Sequence, residues 1–207
     1  MSLRSDRRRH RLFPGRLSAS VLLGALCLAG CASLRPVPLV WPVEVLPDNW
    51  EARRAVLQSW QSFDLTGRIA LASSEQGVVA GLRWQQQAGR TELGLEGPAG
   101  VGAQRWRFEA GREDELRSLE AVLGFALPVS SVRYWLLGVP DPALPADLQL
   151  AADAARLEAL TQAGWQVRFL DYGPVSGTRF ELPARIEIRR EGWRARLIVT
   201  DWRAGTR

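Results

Sequence analysis

Apolar and polar residues alternate with a period of two along much of this chain, which is typical of β-strands with one buried face. The clearest case is FDLTGRIALA, in which Phe63, Leu65 and Ile69 alternate with polar or small residues. The segments GVVAGLRW, RTELGLEG and AQRWRFEA continue the pattern, with short turns or loops rich in glycine between them. The four segments together predict an antiparallel meander with one apolar face and one charged face.

Three other segments have the period of an amphipathic helix. Asp48, with Glu51 three residues later, predicts the start of a helix over about 48–61. The segment REDELRSLEAVLG predicts a second helix that ends at Gly124. Its expected apolar face consists of Leu116, Leu119, Val122 and Leu123. The segment SSVRYWLLG predicts a third helix that begins at Ser130 or Ser131.

The rest of the chain returns to the strand pattern. DPALPADLQ is predicted to be a loop, and the Gly-Pro and Leu-Pro pairs at 173–174 and 182–183 are expected to bracket another loop. The predicted strands of this half are RLEALTQ, WQVRFLDY, ARIEIRR and WRARLIVTDW. A sheet of about eight or more strands with one apolar face has to bury that face by closing or by curling around helices. We therefore expect a mainly β protein with a few helices, whose curled antiparallel sheet forms an incomplete barrel with room for an apolar ligand.

The aromatic residues of the chain are mostly tryptophans, nine against two tyrosines. Two interpretations of the tryptophans remain open. Large rings on the apolar faces either fill a core or line a wide apolar cavity. In a cavity, the buried indole N–H groups need acceptors such as Gln85 or Gln104. The candidate wall residues are Leu82, Trp84, Leu93, Leu95, Trp106, Phe108, Trp135, Leu136, Trp165 and Phe169.

The N-terminal region has the organisation of a secretory signal. Six arginines precede the apolar run 17–30, which is shorter than the roughly 20 residues that a membrane-spanning helix requires. Leu28-Ala29-Gly30-Cys31 resembles the lipobox of bacterial lipoproteins, in which the cysteine receives a diacylglycerol and becomes the first mature residue. We expect residues 1–30 to be a cleaved signal peptide and Cys31 to be the lipidated residue.

Four prolines follow the lipobox, at positions 36, 38, 42 and 47. Proline-rich chain is extended and semi-rigid, so residues 31–47 are predicted to be a tether, with a first edge strand as the alternative. Residues 48–207 are then a single domain.

Removal of the signal changes which chemistry the chain can perform. It takes away six arginines and one acidic residue, and leaves 21 basic and 21 acidic residues. The formal charge of the mature chain is therefore zero, which argues against nucleic-acid binding. His10 and Cys27 are also removed, and the chain has no lysine. The usual catalytic triads, cysteine–histidine dyads, Schiff-base lysines and most zinc sites are excluded.

We accordingly expect neither an enzyme nor a metal or cofactor site. A carboxylate-based hydrolase stays open as a less favoured alternative. The pairs Glu113/Asp114 and Asp141/Asp147 are expected to cap helices and to be solvated in loops.

The segment GPAGVGA, at 97–103, separates two predicted strands and carries no charge. It is either an ordinary hairpin turn or an exposed apolar tip, formed by Pro98, Ala99, Gly100 and Val101, that is able to enter a lipid interface.

Over nearly all of its length the chain resembles the LolB family, outer-membrane lipoprotein receptors of Gram-negative bacteria. The matching segments follow the lipobox in order and with the family's spacing. They are WQSFDLTGRIAL, GLRWQQ, the G-P-x-G turn at 97–100, YWLLGVPDP, QAGWQVRF, LPARIEI and LIVTDW.

The resemblance implies an incomplete β-barrel lidded by helices, with an apolar cavity that holds lipoprotein acyl chains. It implies a monomer that takes lipoproteins from the periplasmic carrier LolA without a cofactor and inserts them into the inner leaflet of the outer membrane. Ala32 stands where an Asp retains lipoproteins in the inner membrane, so the outer membrane is implied. The family's membrane-inserting loop matches 97–102. An outer-membrane-anchored structural or assembly lipoprotein that binds proteins and not lipid is the alternative function.

One position in that loop departs from the family's Pro-Leu-Gly pattern. Ala99 replaces the leucine, which lowers the insertion energy of the tip by about 1 kcal/mol, and Val101 partly substitutes for it.

Overall fold

The computed structural model describes residues 41–73, 77–98, 102–109 and 113–204. Within these ranges the chain forms three helices and nine strands. The helices are α1 Trp50–Gln58, α2 Glu113–Leu123 and α3 Val129–Leu136. The strands are β1 Ser62–Ser73, β2 Gly77–Gln87, β3 Arg90–Glu96, β4 Gln104–Phe108, β5 Ala146–Leu150, β6 Leu157–Gln162, β7 Trp165–Pro174, β8 Glu181–Arg190 and β9 Trp193–Ala204.

The strands of the described residues form one antiparallel sheet in the order β4-β3-β2-β1-β9-β8-β7-β6-β5. It consists of two meanders, β1–β4 and β5–β9, joined where the first strand pairs with the last. Helices α2 and α3 lie between the two meanders in the chain. The sheet is curled and open, with β4 and β5 as its edges, so the predicted mainly β fold with a curled antiparallel sheet is confirmed.

The central pairing of β1 with β9 contains a bulge. Thr66 pairs with Asp201 and Gly67 with Val199, so Thr200 is one extra residue in β9. The Thr200 hydroxyl donates a hydrogen bond to the Thr66 carbonyl at 3.1 Å. A bulge increases the local twist and bends the strand, which helps a long sheet to curl. The segments LTGR and VTDW of the family resemblance meet at this bulge.

Helix α1 begins two residues later than predicted. Asn49, and not Asp48, is its N-cap, because the Asn49 Oδ1 accepts a hydrogen bond from the Ala52 N–H at 2.9 Å. The helix ends before Trp60, whose buried ring packs against the rings of Trp41 and Phe180 at centroid distances of 5.1 and 5.6 Å.

The first described residues are packed against the sheet. Leu46 is buried in the core, and the Glu44 carbonyl accepts a hydrogen bond from the Arg179 N–H at 3.0 Å. The packed region therefore includes residues 41–47, which lie in the stretch predicted to be a tether.

The prediction of a loop over DPALPADLQ is wrong in its second half. Ala146–Leu150 is an edge strand, β5, that pairs with β6. Its residues alternate between apolar and polar, but over only five positions that directly follow Pro142 and Pro145, and its side chains are mostly exposed.

The prolines expected to bracket a loop near 173–183 lie inside strands instead. Pro174 ends β7, and Pro183 pairs with Tyr172 beside a register shift in β7. The loop itself is confined to 175–180.

Helix α3 also starts differently from the prediction. Pro128 precedes its first residue, and the expected cap Ser131 is inside the helix. The apolar face of α2 is narrower than expected, since Leu119 and Leu123 are buried whereas Leu116 and Val122 are 42% and 51% exposed.

Candidate functional site

The inner face of the curled sheet and the helices enclose a cavity of about 60 Å³. Its lining is apolar except for Arg194. The lining residues are Ile69, Leu71, Leu82, Trp84, Leu93, Leu95, Leu123, Phe125, Leu127, Val132, Leu136, Trp165, Ile188, Trp193, Arg194, Ala195 and Leu197.

The strand register produces this lining. Trp84 pairs with Leu93, and Leu82 pairs with Leu95, so two inward rows run across β2 and β3. Because alternate residues of a strand point to the same face, the apolar residues of each strand gather on the inner side of the curl.

Six of the ten predicted wall residues line this cavity: Leu82, Trp84, Leu93, Leu95, Leu136 and Trp165. The other four, Trp106, Phe108, Trp135 and Phe169, are buried in the core outside this lining. Both interpretations of the aromatic residues therefore apply, each to a different subset. Contact of these residues with acyl chains stays a prediction.

Sequence reasoning missed the wall contributed by the second meander and by the chain between α2 and α3. Ile188 and Leu197 lie on inward faces of β8 and β9, where their alternation was a usable signal. Phe125 and Leu127 come from the α2–α3 connection, which has no period and gives no such signal.

The buried indoles find acceptors other than the predicted Gln85 and Gln104. The Nε1 of Trp135 donates to Gln162 Oε1 at 2.9 Å, and that of Trp106 donates to Ser118 Oγ at 3.2 Å. The buried Nε1 of Trp84, in the cavity wall, has no hydrogen-bond partner in the described part of the chain.

Gln162 and Asp141 fix α3 against the sheet. The Gln162 amide, 1% exposed, accepts from the Trp135 indole and the Asp141 N–H and donates to the Asp141 and Leu144 carbonyls, each at 2.9 or 3.0 Å. The buried Asp141 carboxylate accepts a hydrogen bond from Ser131 Oγ at 2.8 Å. The expectation that Asp141 is solvated is therefore wrong, and Asp147 alone of that pair is exposed.

A groove of about 430 Å³ adjoins the cavity. It shares Leu71, Leu95, Leu123 and Trp193 with the cavity lining. Its other sides are formed by the β1–β2 hairpin, by the C-terminal end of α2 and by the two ends of the β3–β4 loop, Gly97 and Gly102. We call it the mouth groove. It brings both described ends of the predicted loop next to the cavity.

Three aromatic rings pack together in the part of the cavity wall that adjoins the mouth groove. Phe125 packs on Trp193 and Trp165 at centroid distances of 4.7 and 5.5 Å. Gly124 ends α2 with φ +79, and a Cβ at this position would lie 3.1 Å from the Trp193 ring.

Several predicted site residues cannot be placed. Pro98 is exposed, whereas Ala99, Gly100 and Val101 lie outside the described residues, as do Cys31 and Ala32. In the described part of the chain, no helix combines the length and apolarity needed to span a membrane. The same part contains no group of three or more His, Cys, Asp or Glu that could hold a metal ion.

Residues 61–202 match the model of a family described as "Outer membrane lipoprotein LolB". The chain is 33% identical to the outer-membrane lipoprotein LolB of Nitrosococcus oceani, over 89% of this chain and 96% of that protein. It is 32% identical to the LolB protein of Stutzerimonas stutzeri, over 86% and 91% of the two chains. Among solved structures, a LolA superfamily protein from Nitrosomonas europaea aligns with 72% of this chain and 88% of its own, at 10% identity and a TM-score of 0.42.

Proposed function

The chain belongs to the LolB family of outer-membrane lipoproteins, and we propose that it receives lipoproteins from a LolA-like periplasmic carrier and inserts them into the inner leaflet of the outer membrane. Its family makes it a lipid-anchored protein of the outer membrane, with Cys31 as the proposed anchor. We propose a non-enzymatic role, in which acyl chains move from the carrier's cavity to the cavity of this protein and then to the bilayer.

The apolar lining of the cavity is the observation that supports this proposal most. Each methylene transferred from water to an apolar site contributes about 0.8 kcal/mol. The single charged residue of the lining, Arg194, has its guanidinium bound to Glu187 on the outer face of the sheet, so the wall suits a hydrocarbon chain. A difference in affinity between two such cavities is enough to set the direction of transfer.

The cavity as observed is small. A dry apolar cavity of about 150 Å³ holds a molecule as small as benzene, and this one measures about 60 Å³. We therefore propose that part of the wall moves when an acyl chain enters. Helix α2 and the connection that follows it are the best candidates. Among the α2 residues whose side chains are described, only Leu119 and Leu123 are buried, and the helix is followed by the glycine beside Trp193.

The mouth groove is the proposed route to the bilayer. It joins the cavity wall at Leu123 and Trp193 and is bordered by Gly97 and Gly102, the described ends of the loop that the family resemblance identifies as membrane-inserting. Acyl chains that leave by this route emerge beside the loop.

A transfer assay tests the proposal. The mature chain with Cys31→Ser is mixed with carrier-bound lipoprotein and outer-membrane vesicles, and lipoprotein in the vesicles is measured. We expect transfer with this variant and at least a tenfold loss after the further change Leu95→Glu, which puts a charge into the cavity wall. The control is Leu170→Glu, at an exposed position that is absent from the cavity lining. Absence of transfer by the Cys31→Ser chain would refute the proposal.

A fluorescent apolar probe, competed by palmitate, separates this function from the alternative of a protein-binding assembly lipoprotein. Displacement of the probe supports an acyl-chain site. If palmitate displaces no probe, the alternative function is favoured.

A further inference from the structure

The β1–β2 hairpin projects beyond its neighbour β3. The last pair of β2 with β3 is Gly81 with Glu96, whereas β2 continues to pair with β1 as far as Gly77. Val78 and Val79 lie in this projection and are 55% and 58% exposed. We call these two residues the hairpin valines. Two adjacent valines that point to opposite faces of a projecting hairpin leave apolar surface on both of its sides.

An arginine group lies close by on the outer face of the sheet. The Glu187 carboxylate, 2% exposed, pairs with the guanidinium groups of Arg189, Arg194 and Arg196, at 2.6 Å for Arg189 and 2.9 Å for Arg196. The three arginine side chains are themselves 39–57% exposed. One carboxylate therefore holds three guanidinium groups in place and leaves two positive charges without compensation.

The register places both features at the same end of the sheet. Val79 pairs with Ala70, which pairs with Arg196, so Val79 and Arg196 are two strands apart in one row on the outer face. At about 4.8 Å per strand their Cα atoms are roughly 10 Å apart.

One more arginine and one more glutamate lie where β8 ends and the turn to β9 begins. Arg190 lies over the Trp165 ring, 5.4 Å from its centroid, and Glu191 follows in the turn. Residues 187–196 carry four arginines and two glutamates, so positive charge is concentrated around the β8–β9 turn, although the mature chain is neutral by count. On the side of the hairpin valines, the sequence has the acidic residues Glu75, between β1 and β2, and Glu96, at the end of β3.

We propose that the hairpin valines and the arginine group, with Arg190, form a docking surface for a bilayer that contains anionic phospholipid. The valines enter the interface, and the guanidinium groups bind the phosphates of the headgroups. The charge around the β8–β9 turn is complementary to such a surface, and Gly97 and Gly102, the described ends of the β3–β4 loop, line the mouth groove together with Val78. The inference rests on the proposed function only in taking this end of the sheet to face the bilayer.

This surface supplements the loop tip. Ala99 gives the tip less apolar area than the family's leucine, and the hairpin valines supply a second apolar contact. An arginine close to an anionic membrane surface strengthens binding about fivefold. In 0.1 M salt this attraction extends over only about 10 Å, and higher salt shortens that distance.

Vesicle co-flotation of the mature Cys31→Ser chain tests the contribution of the arginines to the docking surface. Vesicles of phosphatidylcholine with and without phosphatidylglycerol are compared. We expect tighter binding to the anionic vesicles, weakened about 25-fold by Arg189→Gln/Arg190→Gln, at about fivefold for each arginine, and also weakened by high salt. The matched control, Arg179→Gln/Arg203→Gln, removes two exposed charges from the opposite end of the sheet and should change binding less than twofold. Equal losses in both double variants would show a net-charge effect only and overturn the proposal.

A second pair of variants tests the contribution of the hairpin valines to the docking surface. Val79→Ser should weaken vesicle binding at least threefold, whereas Val45→Ser, at a position 55% exposed near the other end, should leave it unchanged. Equal effects of the two changes, or none, would contradict a role for the hairpin.

Palmitate displacement of the apolar probe, measured on the same variants, reports ligand binding in the cavity separately. Vesicle selectivity without probe binding would refute the proposed function and leave this inference standing, and the converse result would refute the inference alone.

Discussion

Gly67 shows how a single residue allows the two meanders to join. A Cβ at this position would lie 2.3 Å from the Ile198 carbonyl oxygen, a separation that real Cβ atoms essentially never show. The absence of a side chain is therefore what lets β1 approach the bulge in β9 so closely.

Gly67→Ala should destabilise the fold by about 1–3 kcal/mol, because the backbone of β9 has to shift to accommodate the methyl group. Urea denaturation measures the change in the free energy of unfolding. Gly89→Ala is the matched control, since a Cβ there meets nothing within 4 Å. Equal stability of the two variants would contradict this account of the bulge.

Gln162 is a second position where one side chain determines a local structure. Gln162→Leu removes both acceptor and donor, and leaves the Trp135 indole, the Asp141 N–H and two carbonyls without their partner. We expect a loss of about 2–4 kcal/mol in the free energy of unfolding, since buried polar groups without partners each cost about 1–3 kcal/mol. Gln166→Leu, on the exposed face of β7, should stay within about 0.5 kcal/mol of the parent.

Asp64 gives the fold a predictable dependence on pH. Burial raises the pKa of its carboxyl group, opposed by a hydrogen bond from Gln85 and by nearby arginines, and its Oδ1 has no partner among the described residues. A raised pKa means that the folded state binds the proton more tightly than the unfolded state does. Stability is therefore lost as pH rises from the unfolded pKa through the folded one.

Asp64→Asn should thus stabilise the protein at neutral pH and give a smaller gain near pH 4, where the parent is already partly protonated. Urea midpoints of the two proteins at both pH values measure the difference. A gain that is the same at both pH values would show that the charge is not its cause.

At the scale of an element, helix α2 is buried along a narrow line. Leu119 is 1% exposed and Leu116, one turn earlier, is 42% exposed. A helical period identifies both as apolar-face residues, but only the neighbouring strands decide how wide a face is covered. A helix held along one line suits the proposed movement of the cavity wall.

The same substitution at the two positions tests this asymmetry. Leu119→Ala should lower the free energy of unfolding by about 2–5 kcal/mol, whereas Leu116→Ala should change it by about 0.5 kcal/mol or less. Thermal or urea denaturation distinguishes the outcomes. Similar losses in the two variants would mean that α2 is covered on both sides.

For the whole molecule, ligand binding and stability should be coupled. An acyl chain that binds only the folded state raises the free energy of unfolding, by about 2.7 kcal/mol at a hundred times its Kd. Palmitate should therefore raise the urea midpoint, and hexanoate at the same concentration should not, because it lacks about ten methylenes at about 0.8 kcal/mol each. Leu95→Glu should abolish the palmitate effect. An equal shift with both acids would point to the carboxylate and not to the apolar cavity.

The sequence by itself was sufficient to predict the alternating strands, the mainly β class, the lipobox and the family resemblance. These features depend on local order along the chain: a period of two assigns each residue of a strand to a face, and a signal peptide is recognised as a linear segment. Trp84 and Leu93 were therefore correctly predicted to face inward.

Only the tertiary structure decided which inward residues surround free space and which are packed solid. Trp84 lines the cavity and Trp135 does not, although both were candidates, because the period gives the face but not the neighbour across the curl. Strand β5 was missed because its alternation covers only five residues directly after two prolines, which indicate a loop. The buried roles of Asp141 and Gln162 depend on partners up to 27 residues away, which local sequence does not reveal.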